Sequence, residues 1–306
     1  MIGNAVLRRA PKPAAPASVV AMNILSIQSS VAYGHVGNSA AVFPLQRLGH
    51  TVWPVDTVQF SNHTGYGQWR GPIFAANDVA AVIAGIGERG VFDRCDGVLS
   101  GYMGDAAIGT VILDAVAAVR KANPEVLYCC DPVIGDVGRG VFVRPGIPKF
   151  MRDRAVKTAD LITPNQFELE YLTGKPCETM QHVLDAAAAA RALGPRIVLV
   201  TSVLRTDAPA DTIEMLADTA EGSWIVATPR LKLDPMPNGA GDVVAALFLA
   251  AYLETRDTAK ALADTAARIF AVFEATVRAG TRELALIAAQ DQIAKPTKRF
   301  EVKKVR

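Results

Sequence analysis

The chain has 306 residues, of which 50% are hydrophobic and 20% charged, and a net charge of +2. This length suits one large or two small globular domains, and so even a charge balance offers no basic footprint for nucleic acid. No apolar run reaches the ~18 residues that a membrane-spanning helix needs, and Cys95, Cys129, Cys130 and Cys177 lack the CxxC spacing of zinc sites, which fits a reducing cytoplasm.

Residues 1–21 are rich in Pro and Ala and carry Arg8 and Arg9 without an apolar centre. They read as a flexible extension rather than a secretory signal, and Met22 offers a start directly before the first strand. From there apolar runs of strand and helix character alternate. Strands are expected at Asn23–Gln28, Thr51–Val55, Gly97–Leu99, Val126–Cys130, Leu161–Thr163 and Ile197–Thr201. Between them fall helices at Ser39–Leu48, Asn77–Ile86, Ala106–Lys121, Pro148–Val156, Gln166–Leu172 and Met180–Leu193. Thr212–Ala217 and Trp224–Thr228 read as an antiparallel pair turning at Ala220-Glu221-Gly222. Helices close the chain at Ala240–Leu253, Thr258–Ala279 and Glu283–Ile293, and the basic tail from Lys295 to Arg306 reads as solvated. The alternation predicts one α/β domain over 22–306, with a mostly parallel central sheet and helices on both faces.

Ligands in such sheets collect beyond the carboxyl ends of the strands. The polar motifs sit there. Ser29 follows the first strand, Tyr102 the third, Asp131 the fourth, Pro164 and Asn165 the fifth, and Thr201 and Ser202 end the sixth. The most informative segment is Gly239-Ala240-Gly241-Asp242, directly before an apolar helix. Two glycines and the bare N–H groups of a helix start can hold a phosphate. A carboxylate there would repel that phosphate. Asp242 makes sense if it takes a proton from a hydroxyl that attacks phosphorus. The plain alternative is an Asp in an ordinary Gly-rich turn.

Other motifs stay open on the residues alone. Asp131 and Asp136 suit a cation or nucleotide site, or an Asp-Pro turn followed by a solvated Asp. Glu168, three residues after Asn165, suits either a helix cap or a carboxylate that orders hydrated magnesium. Ser61 to Gly67 has the donors, acceptors and glycines of a substrate loop or of a plain surface loop. Gly85 to Gly90 matches GxGxxG but follows a helix rather than a strand, so it reads as a helix end and not as a dinucleotide site.

These residues resemble the ribokinase superfamily and, within it, the pyridoxal kinases. The match runs over about residues 22 to 295 and is close at IQSSVAYGHVGNSA (27–40), TVQFSNHT (57–64), LSGYMG (99–104), CDPVIGD (130–136), ITPNQFEL (162–169) and GAGD (239–242). The resemblance implies a ribokinase-like three-layer α/β/α sandwich and ATP-dependent phosphorylation of the 5′-hydroxyl of pyridoxal. It implies that Asp242 is the base and that Gly239, Ala240 and Gly241 form the anion hole. Ser29, His63, Thr64, Gly65 and Tyr102 would hold the vitamin. Asp131, Asp136, Thr163, Glu168, Thr201, Ser202, Thr228, Pro229, Arg230 and Leu231 would face ATP, with Asp136 and Glu168 near Mg²⁺. A K⁺ requirement stays open, and a cytoplasmic homodimer is the family expectation.

The first twenty residues have no counterpart in the family, and the chain departs from its pattern at two further positions. Ala240 stands where many members carry Thr, and Thr201 where some bacterial members carry Lys. A hydroxymethylpyrimidine kinase shares the fold and the GAGD site, but Ser29 and Ser61 to Thr64 argue against it. A non-catalytic vitamer-binding protein is opposed by the intact acids, and a nicotinamide-dependent oxidoreductase by the misplaced GxGxxG.

Overall fold

The computed structural model describes residues 21–306, so the expectation for the N-terminal extension falls almost wholly outside the described residues. In chain order the elements are β1 (Asn23–Tyr33), α1 (Asn38–Arg47), β2 (Thr51–Asn62), α2 (Ala76–Gly87), β3 (Gly97–Ser100), α3 (Ala106–Ala122) and β4 (Leu127–Cys130). A small hairpin, β5 (Gly135–Asp136) and β6 (Gly140–Val141), precedes α4 (Ile147–Phe150), which runs through a π-helical turn into α5 (Val156–Thr158). Then come β7 (Leu161–Ile162), α6 (Gln166–Thr173), α7 (Met180–Arg191), β8 (Ile197–Val203), β9 (Thr212–Thr219) and β10 (Gly222–Pro229). The chain closes with α8 (Ala240–Thr255), α9 (Thr258–Ala279), α10 (Gln290–Ala294) and β11 (Val302–Lys304).

One nine-stranded sheet has the order β11-β10-β9-β8-β7-β4-β3-β1-β2. The run from β8 to β2 is parallel, and β9, β10 and β11 join antiparallel at the other edge. Residues alternating along the strands feed two cores, one under α2, α3, α6 and α7, the other under α1, α8 and α9. The expected mostly parallel sheet with helices on both faces is present. Val243 to Ala251 of α8 is buried on every side. A helix apolar all round has no solvent face to offer and belongs in a core. Its first turn is thereby fixed against the sheet.

Three differences from the sequence reading have local causes. Both β1 and β2 run well past their expected ends, because residues 30–33 pair with 59–62 across a register shift at Ser29. Only Val31, Val58 and Phe60 of these extensions are apolar and buried, too few to announce two strands. The helix expected over Glu283–Ile293 forms only at Gln290–Ala294. Residues 281–285 are irregular and 286–289 form a turn, with the Ala285 N–H held by Thr276 Oγ1 at 3.0 Å. The tail is not simply solvated either. Val302, Lys303 and Lys304 pair with Val226, Ile225 and Trp224 of β10.

That edge strand brings Arg306 to Asp218, which is fully buried. The Asp218 carboxylate accepts from Arg306 Nη2 at 2.6 Å, Arg191 Nε at 2.9 Å and Ser223 Oγ at 2.5 Å. Removing one donor from a buried charge leaves it partly unpaired. Arg306→Ala is therefore expected to cost about 1.5–3 kcal/mol, the range for hydrogen bonds to charged groups. Urea denaturation checks this, and a loss below about 0.5 kcal/mol would mean that Arg191 and Ser223 suffice.

Candidate active site

A cavity of about 560 Å³ opens beyond the carboxyl ends of the parallel strands. The strand order reverses between β1 and β3, where crossovers leave in opposite directions and a crevice must form. Nearly every residue singled out in the sequence lines this cavity. Ser29, His63, Thr64, Gly65 and Tyr102 lie along it with Asp131, Asp136, Thr163, Glu168, Thr201, Ser202 and Thr228. Gly239, Ala240, Gly241 and Asp242 complete the set. Pro229, Arg230 and Leu231 are not among the lining residues. Arg230 instead donates its N–H to Asp211 O at 2.7 Å at the end of β10. The GxGxxG segment ends α2 and contributes no residue to the cavity lining, as its context implied.

The start of α8 is built by Gly239, whose φ of 88° lies in the left-handed region. A side chain there would also drive into the His35 carbonyl. Only glycine meets both demands. The first intrahelical bond runs from the Val243 N–H to Gly239 O, at 3.1 Å. The Ala240 and Gly241 N–H groups therefore have no intrahelical acceptor and carry the positive end of the helix dipole. Asp242 sits in the same turn. Its carboxyl is walled by protein although part of it opens to the cavity. Burial pushes it up to about 6, against an opposing hydrogen bond from the Gly37 N–H.

On the other side, Asp131 is buried and accepts from Thr163 Oγ1 at 3.1 Å. Burial, then the nearby charges of Glu168 and Asp242, drive its carboxyl well above the usual range. Glu168 is also buried, and burial raises it to about 8 despite opposing backbone N–H groups. Its Oε1 accepts from the Ile134 N–H at 2.8 Å and its Oε2 from the Asn165 N–H at 2.9 Å. The Glu168 N–H returns a bond to Asn165 Oδ1 at 2.9 Å, so the capping box is real. Capping does not exhaust the carboxylate, which also ties the β5 loop to α6. Ser202 adopts φ 57° where β8 slips in register against β9. A non-glycine residue held there marks a locally strained spot at the cavity wall.

The sequence reading missed several lining residues. Arg139, between β5 and β6, reaches Asn238 Oδ1 at 3.3 Å. Arg282 lines the cavity beside Gly65. Its only local signal was a charged residue directly before an expected helix. Among the described residues, no three His, Cys, Asp or Glu side chains gather closely enough to cage a bare ion. No helix there is long and apolar enough to cross a membrane.

Comparison with known proteins agrees with this architecture. Residues 90–285 match the phosphomethylpyrimidine kinase family model. A pyridoxal kinase of Rubrobacter xylanophilus is 61% identical over 285 residues, covering 93% of this chain and 98% of the relative. One of Corynebacterium diphtheriae is 56% identical, covering 93% of this chain and 100% of the relative. The solved pyridoxal kinase of Leishmania donovani in complex with ADP and pyridoxine superposes with a TM-score of 0.86 at 27% identity, over 93% of this chain and 99% of that one. With a ribokinase-like α/β sheet, a Gly-rich helix start at its switch point and relatives of this closeness over nearly their full length, the chain belongs to the pyridoxal kinase family.

Proposed function

We propose that this protein transfers the γ-phosphoryl group of ATP to the 5′-hydroxyl of pyridoxal, giving pyridoxal 5′-phosphate and ADP. The observation that carries this reading is the meeting of Asp242, the free N–H groups of residues 240–241 and the Ser29–His63–Thr64 wall in one cavity. Asp242 takes the hydroxyl proton as the oxygen attacks phosphorus in line. The bond from the γ-phosphorus to the bridging oxygen breaks, and ADP leaves. The helix-start N–H groups stabilise the charge that builds on the phosphoryl oxygens. A carboxyl raised to about 6 is a stronger base than an ordinary Asp and is still mostly ionised at neutral pH.

The vitamin lies against Ser29, His63, Thr64, Gly65 and Tyr102, and ATP against Asp131, Asp136, Thr163, Glu168, Thr201, Ser202 and Thr228. Asp136 is exposed, and Glu168 already accepts backbone N–H groups with both oxygens. That donor set suits a magnesium ion that keeps several waters and is held largely by ATP phosphates. Magnesium supplies neutralisation of the phosphate charge when bound. The chain is read as one kinase domain over 22–306, cytoplasmic and homodimeric; sedimentation tests the last point, and turnover with and without K⁺ tests the monovalent-ion requirement.

Steady-state phosphate transfer from ATP to pyridoxal, pyridoxine, pyridoxamine and hydroxymethylpyrimidine decides the substrate. The family model that matches residues 90–285 makes the pyrimidine the comparison that matters. Faster turnover of the pyrimidine than of any vitamer would overturn the reading. Ser29→Ala and Thr64→Ala are each expected to raise the pyridoxal KM by about two- to tenfold. Each removes a hydrogen bond of about 0.5–1.5 kcal/mol. The ATP KM should stay within twofold, and equal effects on both substrates would take these residues off the vitamin side.

A further inference from the structure

Glu283 carries no motif signal, yet its carboxylate joins three segments around the cavity. It is buried, at 8% exposure. Its Oε1 accepts from His63 Nε2 at 3.0 Å and from the Tyr66 hydroxyl at 2.6 Å. Its Oε2 accepts from the His35 backbone N–H at 3.2 Å. Burial alone would raise this carboxyl, but the hydrogen bonds from Tyr66 and His63 outweigh it and hold the group below the usual carboxylate range.

An ionised carboxylate is an acceptor only. His63 Nε2 must therefore carry its hydrogen, and in the neutral form of the ring Nδ1 is a bare lone pair. Nδ1 is buried and has no hydrogen-bond partner among the described residues. A buried acceptor left unpaired costs free energy that a bound donor recovers. His63 lines the cavity, and a Cβ on Gly65 would lie 2.9 Å from Nδ1 and 2.8 Å from Asn238 Nδ2. Glycine at 65 keeps the space between the vitamin loop and the α8 start clear. Arg282 secures the same loop. Its Nη2 donates to Gly65 O at 2.6 Å, and its guanidinium lies 4.0 Å over the Tyr66 ring.

The other end of the network reaches the catalytic turn. The His35 carbonyl abuts Gly239, and the Gly37 N–H donates to the Asp242 carboxylate. We propose that Glu283 is a positioning residue that sets both halves of the site from one carboxylate. It fixes the His63 tautomer so that Nδ1 accepts from the bound vitamin, and it seats the His35–Gly37 turn beneath Gly239 and Asp242. This inference rests on the vitamin-kinase reading.

The test combines imidazole nitrogen spectra with kinetics on the full chain. The protein has four histidines, so the signals lost in His63→Gln assign the ring. Wild type should show a protonated Nε2 and a pyridine-like Nδ1 at His63. Glu283→Ala should give a tautomer mixture and a pyridoxal KM raised about tenfold, the scale set by losing hydrogen bonds to a charge. The ATP KM should stay within twofold. Glu283→Gln, the variant to use if the Ala form does not fold, meets one of its donors with an N–H in either amide orientation. It should show a smaller change in the same direction. Tyr66→Phe leaves the His63 contact intact and should keep the wild-type tautomer. An unchanged tautomer in both Glu283 variants, or equal changes in the two KM values, would overturn the proposal. A wild type that turns over no vitamer would sink the kinase reading instead, and the tautomer would then decide the role of Glu283 alone.

Discussion

Asp242→Asn is expected to lower kcat by about 10²–10⁴-fold, the usual loss when a general base is removed. Asparagine keeps the shape and the contact with the Gly37 N–H but has no basicity to offer. The affinity for ATP should hardly change, since the free N–H groups of the α8 start remain. The pH profile gives a second readout. The Asp242 carboxyl is raised to about 6 by burial, and a proton acceptor works only in its ionised form. The pyridoxal kcat/KM should therefore be level above that pH and fall towards about tenfold per unit below it, measured at saturating magnesium and ATP. The variant should lack this limb. A kcat within threefold of wild type, or a flat wild-type profile between about pH 5 and 8, would remove Asp242 from the role of base.

Gly239→Ala should be nearly as damaging, by about 10²–10³-fold in kcat, the effect of losing one donor to a developing oxyanion. Two independent causes act at this position. A φ of 88° is disfavoured for alanine, and the new methyl group would overlap the His35 carbonyl, which is backbone and cannot swing aside. Relief requires the turn to move, and with it the N–H groups that follow. The melting temperature should fall by a few degrees while circular dichroism keeps its wild-type shape. Unchanged turnover would show that these N–H groups do not face the transferred phosphoryl group.

Much of this could be read along the chain because the signals are short-range. Helix α9 has its expected bounds, and α2, α3 and α8 differ from theirs by two residues or fewer at each end. Apolar periodicity and caps such as Asp257 and Asp105 act within a few residues. The Gly239–Asp242 turn was equally legible, since a left-handed glycine before an apolar helix is a local requirement. Strand-end positions then gathered Ser29, Asp131, Thr163 and Thr201 on one edge through topology alone.

What escaped were contacts made only when distant segments meet. The β5–β6 hairpin has two-residue strands and no apolar alternation, so nothing announces it before Glu168 and Asn165 grip its loop. Pairing of Val302–Lys304 with β10 spans more than 70 residues of chain, and a basic tail carries no mark of it. Whether Glu168 caps a helix or serves a ligand could not be separated by spacing. The structure shows the cap and the cavity together, because one carboxylate has lone pairs enough for both.

The sequence by itself determined the α/β class, the Gly-rich turn before α8 and the family, since each depends on local periodicity or on contiguous residues. The tertiary structure alone decided how the loop around His63 and Tyr66 is held. Glu283 and Arg282 lie more than 200 residues from His63 and Tyr66. No rule of spacing joins residues that far apart. Their meeting depends on α9 crossing the sheet and returning residues 281–283 to the mouth of the cavity, where a buried carboxylate must find its donors.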